Sequence, residues 1–285
     1  MSIRLSEKAM LVSLSISQWT ARKKDKRATS EIHARYSADD KSGQYNKALI
    51  AKDRLEQIQK TATAAREEHY KLTLPWLDTG ARILPAAMFD QYSQVMRDHR
   101  TKFDQAVRDF LDNYASYVQE AQWRLNGLYD PADYPRPDEM SAKFNFTCDI
   151  LPLPDAADFR VQLQAEDMEQ IQSNTQQRID QAQAQATRDL YNRLAEVVGR
   201  MSERLSGTEK KTFRNSLVEN IRELVDLIPG LNVTQNPYIE EIRQQAADRL
   251  TRYEPDTLRE NPAARAETHA AAQDIMAKMA AYMGT

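Results

Sequence analysis

The sequence predicts an α+β fold that is strongly α-dominant, with long antiparallel helical rods, a small two- to three-stranded antiparallel sheet and a helical C-terminal part. Three observations lead to this prediction. Only 7 of the 285 residues are glycine, whereas Gln, Ala, Glu and Arg are plentiful, which favours helices. Apolar residues recur every three or four positions over several long stretches, as on one face of a helix. A few short stretches instead alternate apolar and polar residues, as strands do.

Three short stretches are predicted as strands. In the first, near residues 11–18, Val12, Leu14 and Ile16 alternate with serines, a pattern typical of a half-buried strand. The second, near 144–151, and the third, near 159–163, alternate in the same way. We expect all three to pair into one sheet, because an isolated two-stranded hairpin is marginally stable in water.

Three stretches have the apolar periodicity of long amphipathic helices. The first, 44–72, ends before Pro75, because the residue before a proline disfavours helical geometry. The second, 85–125, has large aromatic residues on its stripe, and the third, 166–205, has small residues in the middle of its stripe. We expect these two rods to pack together, large residues against small ones, within a core made of residues 1–206.

The C-terminal region, residues 207–285, is predicted as three more helices, packed on the core or on a neighbouring subunit. Pro229 and Gly230 are expected to end the first of them. Pro237 and Pro262 are expected in the first turns of the other two, where a helix tolerates proline.

The segment that joins the first two rods is expected to be a structural corner. A simple linker would be polar, but this segment is apolar at about half of its positions and contains a tryptophan and two prolines. Such a composition favours one packed conformation that sets how the flanking helices meet, over the alternative of a ligand site. The candidate corner residues are Pro75, Trp76, Gly80, Arg82 and Pro85.

The densest basic cluster of the chain follows the first predicted strand. Its candidate contact residues are Trp19, Arg22, Lys23, Lys24, Lys26 and Arg27. Cations neutralise phosphates and aromatic rings stack on bases, so single-stranded nucleic acid is one partner to consider. The alternative is a solvated connection between strand and helix, or a contact with an acidic neighbouring copy. Asp25 within the cluster and the modest total charge argue against a dedicated nucleic-acid-binding protein.

Charge is unevenly distributed along the chain. The first 100 residues hold 18 Lys and Arg against 12 Asp and Glu, and the remaining residues hold 21 against 30. This asymmetry suits head-to-tail association of copies, although solvated helix faces also scatter charge in this way.

No arrangement of residues suggests a catalytic, metal or cofactor site. The four histidines are far apart, and the glycine motifs that bind phosphates or dinucleotides are absent from the sequence. The single cysteine, Cys148, alternates with two phenylalanines, which is typical of a small buried hydrophobe, and it fits a reducing cytoplasm. We therefore expect a non-enzymatic, cytoplasmic protein without cofactors. We expect no membrane partner, because no apolar run is long enough to cross a bilayer.

Five stretches, which cover roughly residues 10–230 in this order, are shared with a known family. They are Leu14–Lys26, Tyr45–Lys47, Thr73–Trp76 with Gly80, Arg82–Pro85 and Asp158–Val161. Together they resemble an uncharacterised family, a domain of unknown function, of tailed phages and bacterial mobile elements. Some of its members are encoded near a MoxR-type AAA+ ATPase and a von Willebrand A-type protein. The resemblance therefore implies a partner in an assembly or remodelling system, and it supplies no catalytic residues.

The leading hypothesis is a non-enzymatic, self-associating scaffold or adaptor of a phage or mobile-element pathway. The long amphipathic rods, the uneven charge and the lack of catalytic motifs suggest it. The first alternative is a nucleic-acid-binding accessory protein that uses residues 19–27. The second is an adaptor of a AAA+ ATPase.

Overall fold

The structure, a computed structural model, describes residues 4–77, 80–156, 164–206 and 214–283. It confirms an α-dominant α+β fold with long helices, a small antiparallel sheet and a helical C-terminal part. Among the described helices, none combines the length and the apolar character needed to span a bilayer.

Ten α-helices and six strands are present in the described residues. The α-helices are α1 (Leu5–Lys8), α2 (Lys26–Tyr36), α3 (Glu56–Lys71), α4 (Phe89–Leu125), α5 (Pro137–Met140), α6 (Ala165–Leu205), α7 (Ser216–Leu231), α8 (Pro237–Leu250), α9 (Pro255–Glu260) and α10 (Pro262–Met283). The strands are β1 (Ala9–Ser17), β2 (Arg22–Lys24), β3 (Asn46–Ala48), β4 (Leu74–Pro75), β5 (Arg82–Pro85) and β6 (Asn145–Pro152). Short 3-10 helices cover Lys52–Leu55, Ala86–Met88, Asn126–Leu128, Pro131–Asp133 and Ser141–Lys143.

The strands form two sheets. The larger has the order β4-β5-β1-β6, and the smaller is a ribbon of β2 and β3. β1 and β5 are antiparallel, with Ala9 opposite Pro85 and Val12 opposite Arg82. The strands predicted near 11–18 and 144–151 are confirmed as β1 and β6. The one predicted near 159–163 lies outside the described residues.

The chain divides into two compact units. The larger unit comprises Met1–Ser13, Tyr70–Gln91 and Ile150–Thr285, and the smaller unit comprises Leu14–His69 and Tyr92–Asp149. The chain passes from one unit to the other within β1, α3, α4 and β6. The separate C-terminal region that the sequence suggests after residue 206 stays a prediction.

Aromatic side chains form the core of the smaller unit. The stripe of α4 buries its rings, and Phe103 and Phe110 lie 5.8 and 5.7 Å, between ring centroids, from Phe146 and Phe144. Tilted and edge-on pairs at this spacing add to the stability that burial provides. Trp19 packs on the same stripe, 6.3 Å from Phe110.

The helix predicted over 44–72 is wrong over residues 44–55, about two fifths of its length. α3 begins at Glu56, after a 3-10 turn, and Asn46–Ala48 is the strand β3. The side chain of Lys47 is buried, and β3 pairs with β2 along its whole length. Backbone pairing and the burial of one polar side chain therefore override the helical periodicity that this stretch also carries.

Small residues on α6 allow other helices to approach it closely in the larger unit. Ala182 and Ala186 are buried, and α6 packs against α7, α8 and α10. The prediction that the aromatic rod would cover this stripe is wrong, because the C-terminal helices cover it. Ala271 and Ala272 of α10 are buried as well, so each of these two helices brings small side chains to the unit's core.

The predicted end of the first C-terminal helix at Pro229 and Gly230 is also wrong. α7 continues through both residues to Leu231. A proline inside a helix costs about 3 kcal/mol through a lost hydrogen bond and a clash. Ile228 and Leu231, which flank it, are fully buried, and their burial offsets that cost. The helices predicted from Pro237 and Pro262 are confirmed as α8 and α10, whereas α9 was not predicted.

Two helical glycines of the larger unit give a matched stability prediction. A Cβ added at Gly230 would lie 2.2 Å from Sδ of the buried Met88, whereas one at Gly199 would lie 3.7 Å from the nearest atom of Met276. Gly199→Ala should therefore raise the free energy of unfolding by up to about 1 kcal/mol through helix propensity. Gly230→Ala should lower it by about 1 to 3 kcal/mol through overpacking. Urea denaturation followed by circular dichroism measures both, and a Gly230→Ala protein at least as stable as wild type would contradict the packing described.

Candidate binding surfaces

The basic cluster is folded into the ribbon of β2 and β3 and the start of α2. In the ribbon, Arg22 lies opposite Ala48, Lys23 opposite Lys47 and Lys24 opposite Asn46. Successive side chains of a strand point to opposite faces. Arg22 and Lys24 therefore share one face, while Lys23 and Lys47 share the other.

Lys47 lies at the centre of a buried ion-pair network. Its ammonium Nζ is 2.6 Å from Asp133 Oδ2 and 3.1 Å from Asp25 Oδ2, and it donates to the Leu128 carbonyl at 2.7 Å. Lys23 Nζ is 2.6 Å from Asp133 Oδ1. The side chains of Lys47 and Asp133 are only 6% and 4% exposed. Burial on this scale is stable only when every charge is paired, and two lysines here face two aspartates.

The charges of the network shift the pKa values of its members. The Ala28 backbone N–H, followed by Lys47, lowers the pKa of Asp25, whose carboxylate also caps α2. Burial alone would raise the pKa of Asp133 and lower that of Lys47, but the hydrogen bonds between them and their partners outweigh burial. The pKa of Asp133 is consequently lowered and that of Lys47 raised. Both shifts favour the charged forms, so the network stays ionised around neutral pH.

Four cations of the cluster remain directed to solvent. Arg22, Lys24 and Lys26 are exposed and form no ion pair with any residue that the structure describes. Arg27 is exposed too and donates to the Gly127 carbonyl at 2.8 Å, so it keeps its charge. Lys23 is the only predicted contact cation whose charge a carboxylate neutralises, within the described part of the chain.

The aromatic residue predicted for this surface is not the one that the fold exposes. Trp19 is half-buried, and its ring centroid lies 6.3 Å from Phe110 and 6.0 Å from Tyr114, so it belongs to the core of the smaller unit. Trp123 of α4, in contrast, is 87% exposed. It could have been found in the sequence, because it falls off the apolar stripe that α4 buries.

Two arginines join the end of α4, which carries Trp123, to the ribbon and the start of α2. The neighbouring Arg124 donates to the carbonyl of Ala48 at 2.6 Å, and Gly127, one helical turn beyond Trp123, accepts from Arg27. Both contacts are made within one turn of the exposed ring. We call Arg22, Lys24, Lys26, Arg27 and Trp123 together the basic surface.

The candidate corner is a short hairpin of β4 and β5 in the larger unit. Leu74 pairs with Ile83 and Pro75 with Arg82. Gly80, which precedes β5, has a φ of +79°, a conformation that suits glycine. Trp76 is only 5% exposed.

Two arginines hold the corner in place. Arg82 Nε donates to Thr73 Oγ1 at 2.6 Å, and its guanidinium lies 4.7 Å from the centroid of the Tyr70 ring. Arg193 of α6 donates to the carbonyls of Tyr70, Lys71 and Thr73 at 2.7 to 2.9 Å. These arginines line a cleft of about 460 Å³. Because their donors are bonded to the protein itself, the geometry supports a structural corner, and the absence of a ligand there stays a prediction.

Cys148 and His69 share one hydrogen-bond partner, the Tyr92 hydroxyl. The Cys148 thiol lies 3.3 Å from the Tyr92 hydroxyl, and burial raises its pKa, which lowers the fraction of reactive thiolate. The Tyr92 hydroxyl also lies 2.8 Å from His69 Nδ1. His33 contacts the Gly43 carbonyl, and His269 contacts Ser202 in the larger unit. No group of three or more metal-binding side chains occurs among the residues described.

Comparison with known proteins identifies the family. A family model described as "Protein of unknown function (DUF3150)" matches residues 6–258. The chain belongs to the DUF3150 family. The expected membership of a domain of unknown function is thereby confirmed over most of the chain. No curated protein and no solved structure matches it.

Replacing the buried cation should destabilise the protein strongly. Lys47→Met leaves two buried carboxylates without their shared cation, a change that costs about 3 to 5 kcal/mol of unfolding free energy. Lys41→Met is the control, because Lys41 is exposed and has no ion pair among the described residues; it should change stability by less than about 0.5 kcal/mol. Denaturant titration measures both, and equal losses would show that the network contributes little.

Proposed function

We propose that this protein is a non-enzymatic, self-associating scaffold or adaptor that makes its contacts through the basic surface. The observation that carries the proposal is the 87% exposure of Trp123, whose chain neighbours Arg124 and Gly127 contact the ribbon and Arg27. Tryptophan and arginine are the residue types that dominate the binding energy of protein interfaces. Burial of this large ring in a complex would remove apolar area from water, which favours binding.

The charges of the two units favour a protein partner over a nucleic acid. The smaller unit, which carries the basic surface, holds 19 Lys and Arg against 18 Asp and Glu, and the larger unit holds 20 against 24. A dedicated nucleic-acid-binding domain is usually strongly basic overall, whereas this unit is nearly neutral. Its cations are therefore a local feature, which suits contact with the larger unit of another copy, where Asp and Glu outnumber Lys and Arg. Such a head-to-tail contact builds rings or filaments, as a scaffold requires.

The framework beneath the surface favours tight contact. The Lys47 network fixes the ribbon, and Arg124 donates to the carbonyls of Ala48 and Leu49 at its edge. Because this backbone is already ordered, binding a partner costs little conformational entropy there.

The pathway and the cellular location are suggested by the family resemblance and not by the geometry. We propose that the protein acts in a phage or mobile-element pathway in the cytoplasm of a bacterial host. A AAA+ ATPase is the further partner that the resemblance suggests. Co-purification with a neighbouring ATPase from the native host tests that part.

Self-association should depend on Trp123. Trp123→Ala is expected to raise the dissociation constant of the assembly about thirtyfold, the effect of removing an interface anchor worth about 2 kcal/mol. Tyr36→Ala, which removes a 73% exposed ring at the opposite end of α2 from Lys26 and Arg27, is the control and should leave it unchanged. Size-exclusion chromatography with light scattering measures the mass of each protein. A strictly monomeric wild type at micromolar concentration, in low and moderate salt, would contradict self-association.

Single-stranded nucleic acid is the second candidate partner, because an exposed ring beside cations also suits stacking on a base. In that case a variant with all four exposed cations changed to alanine should bind oligothymidylate with a weaker salt dependence. The slope of log K against log salt should fall in magnitude by about 3. The four residues are Arg22, Lys24, Lys26 and Arg27. Lys41→Ala is the control. Fluorescence anisotropy reports binding, and a wild type that does not bind the oligonucleotide at low salt rules this candidate out.

A further inference from the structure

A second groove lies on the larger unit, away from the corner. It has a volume of about 680 Å³ and runs along α6 from Asp180 to Asn192. Its other wall is formed by the loop between α7 and α8, the first residues of α8 and the end of α10. Twelve residues of helix span about 18 Å, so the groove is long and open rather than a closed cavity.

Tyrosine rings form the wall opposite α6. The rings of Tyr238 and Tyr282 stack with centroids 4.6 Å apart and planes 32° apart. The Tyr282 hydroxyl donates to Glu241 Oε2 at 3.0 Å, which holds its ring in place. Tyr238 is 52% exposed, so the stack presents an aromatic surface that is fixed on one side and open on the other.

Tyr191 adds a hydroxyl that forms no hydrogen bond within the described part of the chain. The residue is only 4% exposed and lines the groove from α6, yet its hydroxyl forms no hydrogen bond with any residue in the described part of the chain. Burial, and then Tyr282 and Tyr238 beside it, raises its pKa, so the hydroxyl keeps its proton as a donor. The oxygen is not among the fully buried, unpartnered atoms of the described residues, so the hydroxyl is accessible from the groove and can donate to a ligand there.

Other polar side chains of the groove are unused as well. The amides of Gln183 and Asn192 and the guanidinium of Arg188 have no hydrogen-bond partner among the described residues. The cleft at the corner is different, because Arg82 and Arg193 donate their hydrogens to the protein itself. Of the two, the tyrosine groove is therefore the one with free donors for a ligand.

Charge excludes a polyanionic ligand from this groove. Among the described residues that line the groove, Arg188 is the single cation, and it is balanced by Asp180 on the same wall and by Glu241 behind the tyrosines. A nucleotide or nucleic acid would need several cations to neutralise its phosphates. The lining suits a ligand with an apolar surface, carbonyl acceptors and at most one negative charge.

We propose that this groove binds a proline-containing, extended segment of a partner protein. A polyproline II helix rises about 3.1 Å per residue, so about six residues span the groove. Proline rings pack on aromatic walls, and the carbonyls of such a segment are free to accept hydrogen bonds from hydroxyl and amide donors. Tyr238 and Tyr282 supply the wall, and Tyr191, Gln183 and Asn192 supply the donors. This site lies on a different unit from the basic surface and does not depend on it.

Binding of a labelled oligoproline peptide tests the proposal. Fluorescence anisotropy of the full-length protein should show binding to fluorescein-labelled oligoproline, and weaker or no binding to a glycine–serine peptide of the same length. Tyr238→Ala should weaken binding about tenfold or more, because it removes the exposed half of the wall. Tyr191→Phe, which keeps the ring and removes only the hydroxyl, should weaken it about threefold to tenfold, the effect of one lost hydrogen bond.

The control is Tyr36→Ala, which removes a 73% exposed tyrosine from the smaller unit and should leave peptide binding unchanged. Circular dichroism establishes that each variant is folded, and Tyr191→Phe keeps the experiment informative if Tyr238→Ala unfolds. The proposal is overturned if the wild type shows no binding up to millimolar oligoproline, or binds both peptides equally. Unchanged affinity of the folded Tyr191→Phe and Tyr238→Ala proteins would overturn it too.

Discussion

The smaller unit depends on one buried ammonium group. Lys47 joins three parts of the chain that are distant in sequence: the cap of α2 at Asp25, the strand that it belongs to, and the connector that supplies Asp133 and the Leu128 carbonyl. An unpaired charge in this position would cost several kcal/mol, so the three parts are stable only together. The four exposed cations of the basic surface are held on this framework, and their arrangement is a consequence of the buried pair beneath them.

Patterns that repeat over many residues could be predicted from the sequence. The second and third long helices, the strands β1 and β6 and the proline-started helices α8 and α10 were found because each depends on local periodicity or on an ordinary helix start. The ribbon could not be found in this way. Lys47 belongs to a stretch with helical spacing, and only its pairing with β2 and with Asp133 makes that stretch a strand. Those partners are distant in sequence, so a local pattern carries no information about them.

The charged residues in the sequence locate the candidate surface, but the aromatic residue predicted for it is wrong. The sequence shows five cations within six residues. It does not show that Lys23 is the one neutralised, because its partner Asp133 is distant in sequence. Trp19 was chosen because it adjoins the cluster, whereas Trp123 is the ring that the fold leaves in water. The tyrosine groove was missed altogether, since Tyr191, Tyr238 and Tyr282 come from three helices and meet only through tertiary packing. Within the described residues, the two arginines of the corner donate their hydrogen bonds to the protein itself, whereas the donors of the groove have no partner in the protein.

The distance along the chain between the partners of Lys47 has a consequence for biosynthesis. Asp25 and Lys47 leave the ribosome early, but Asp133 and the Leu128 carbonyl follow only after the whole of α4. Domains fold during synthesis as their parts become available. The nascent chain therefore carries its basic segment on an incomplete framework until the connector has emerged. The ribbon is completed late, and a product that ends within α4 would contain every residue of the segment without the fold that orders them.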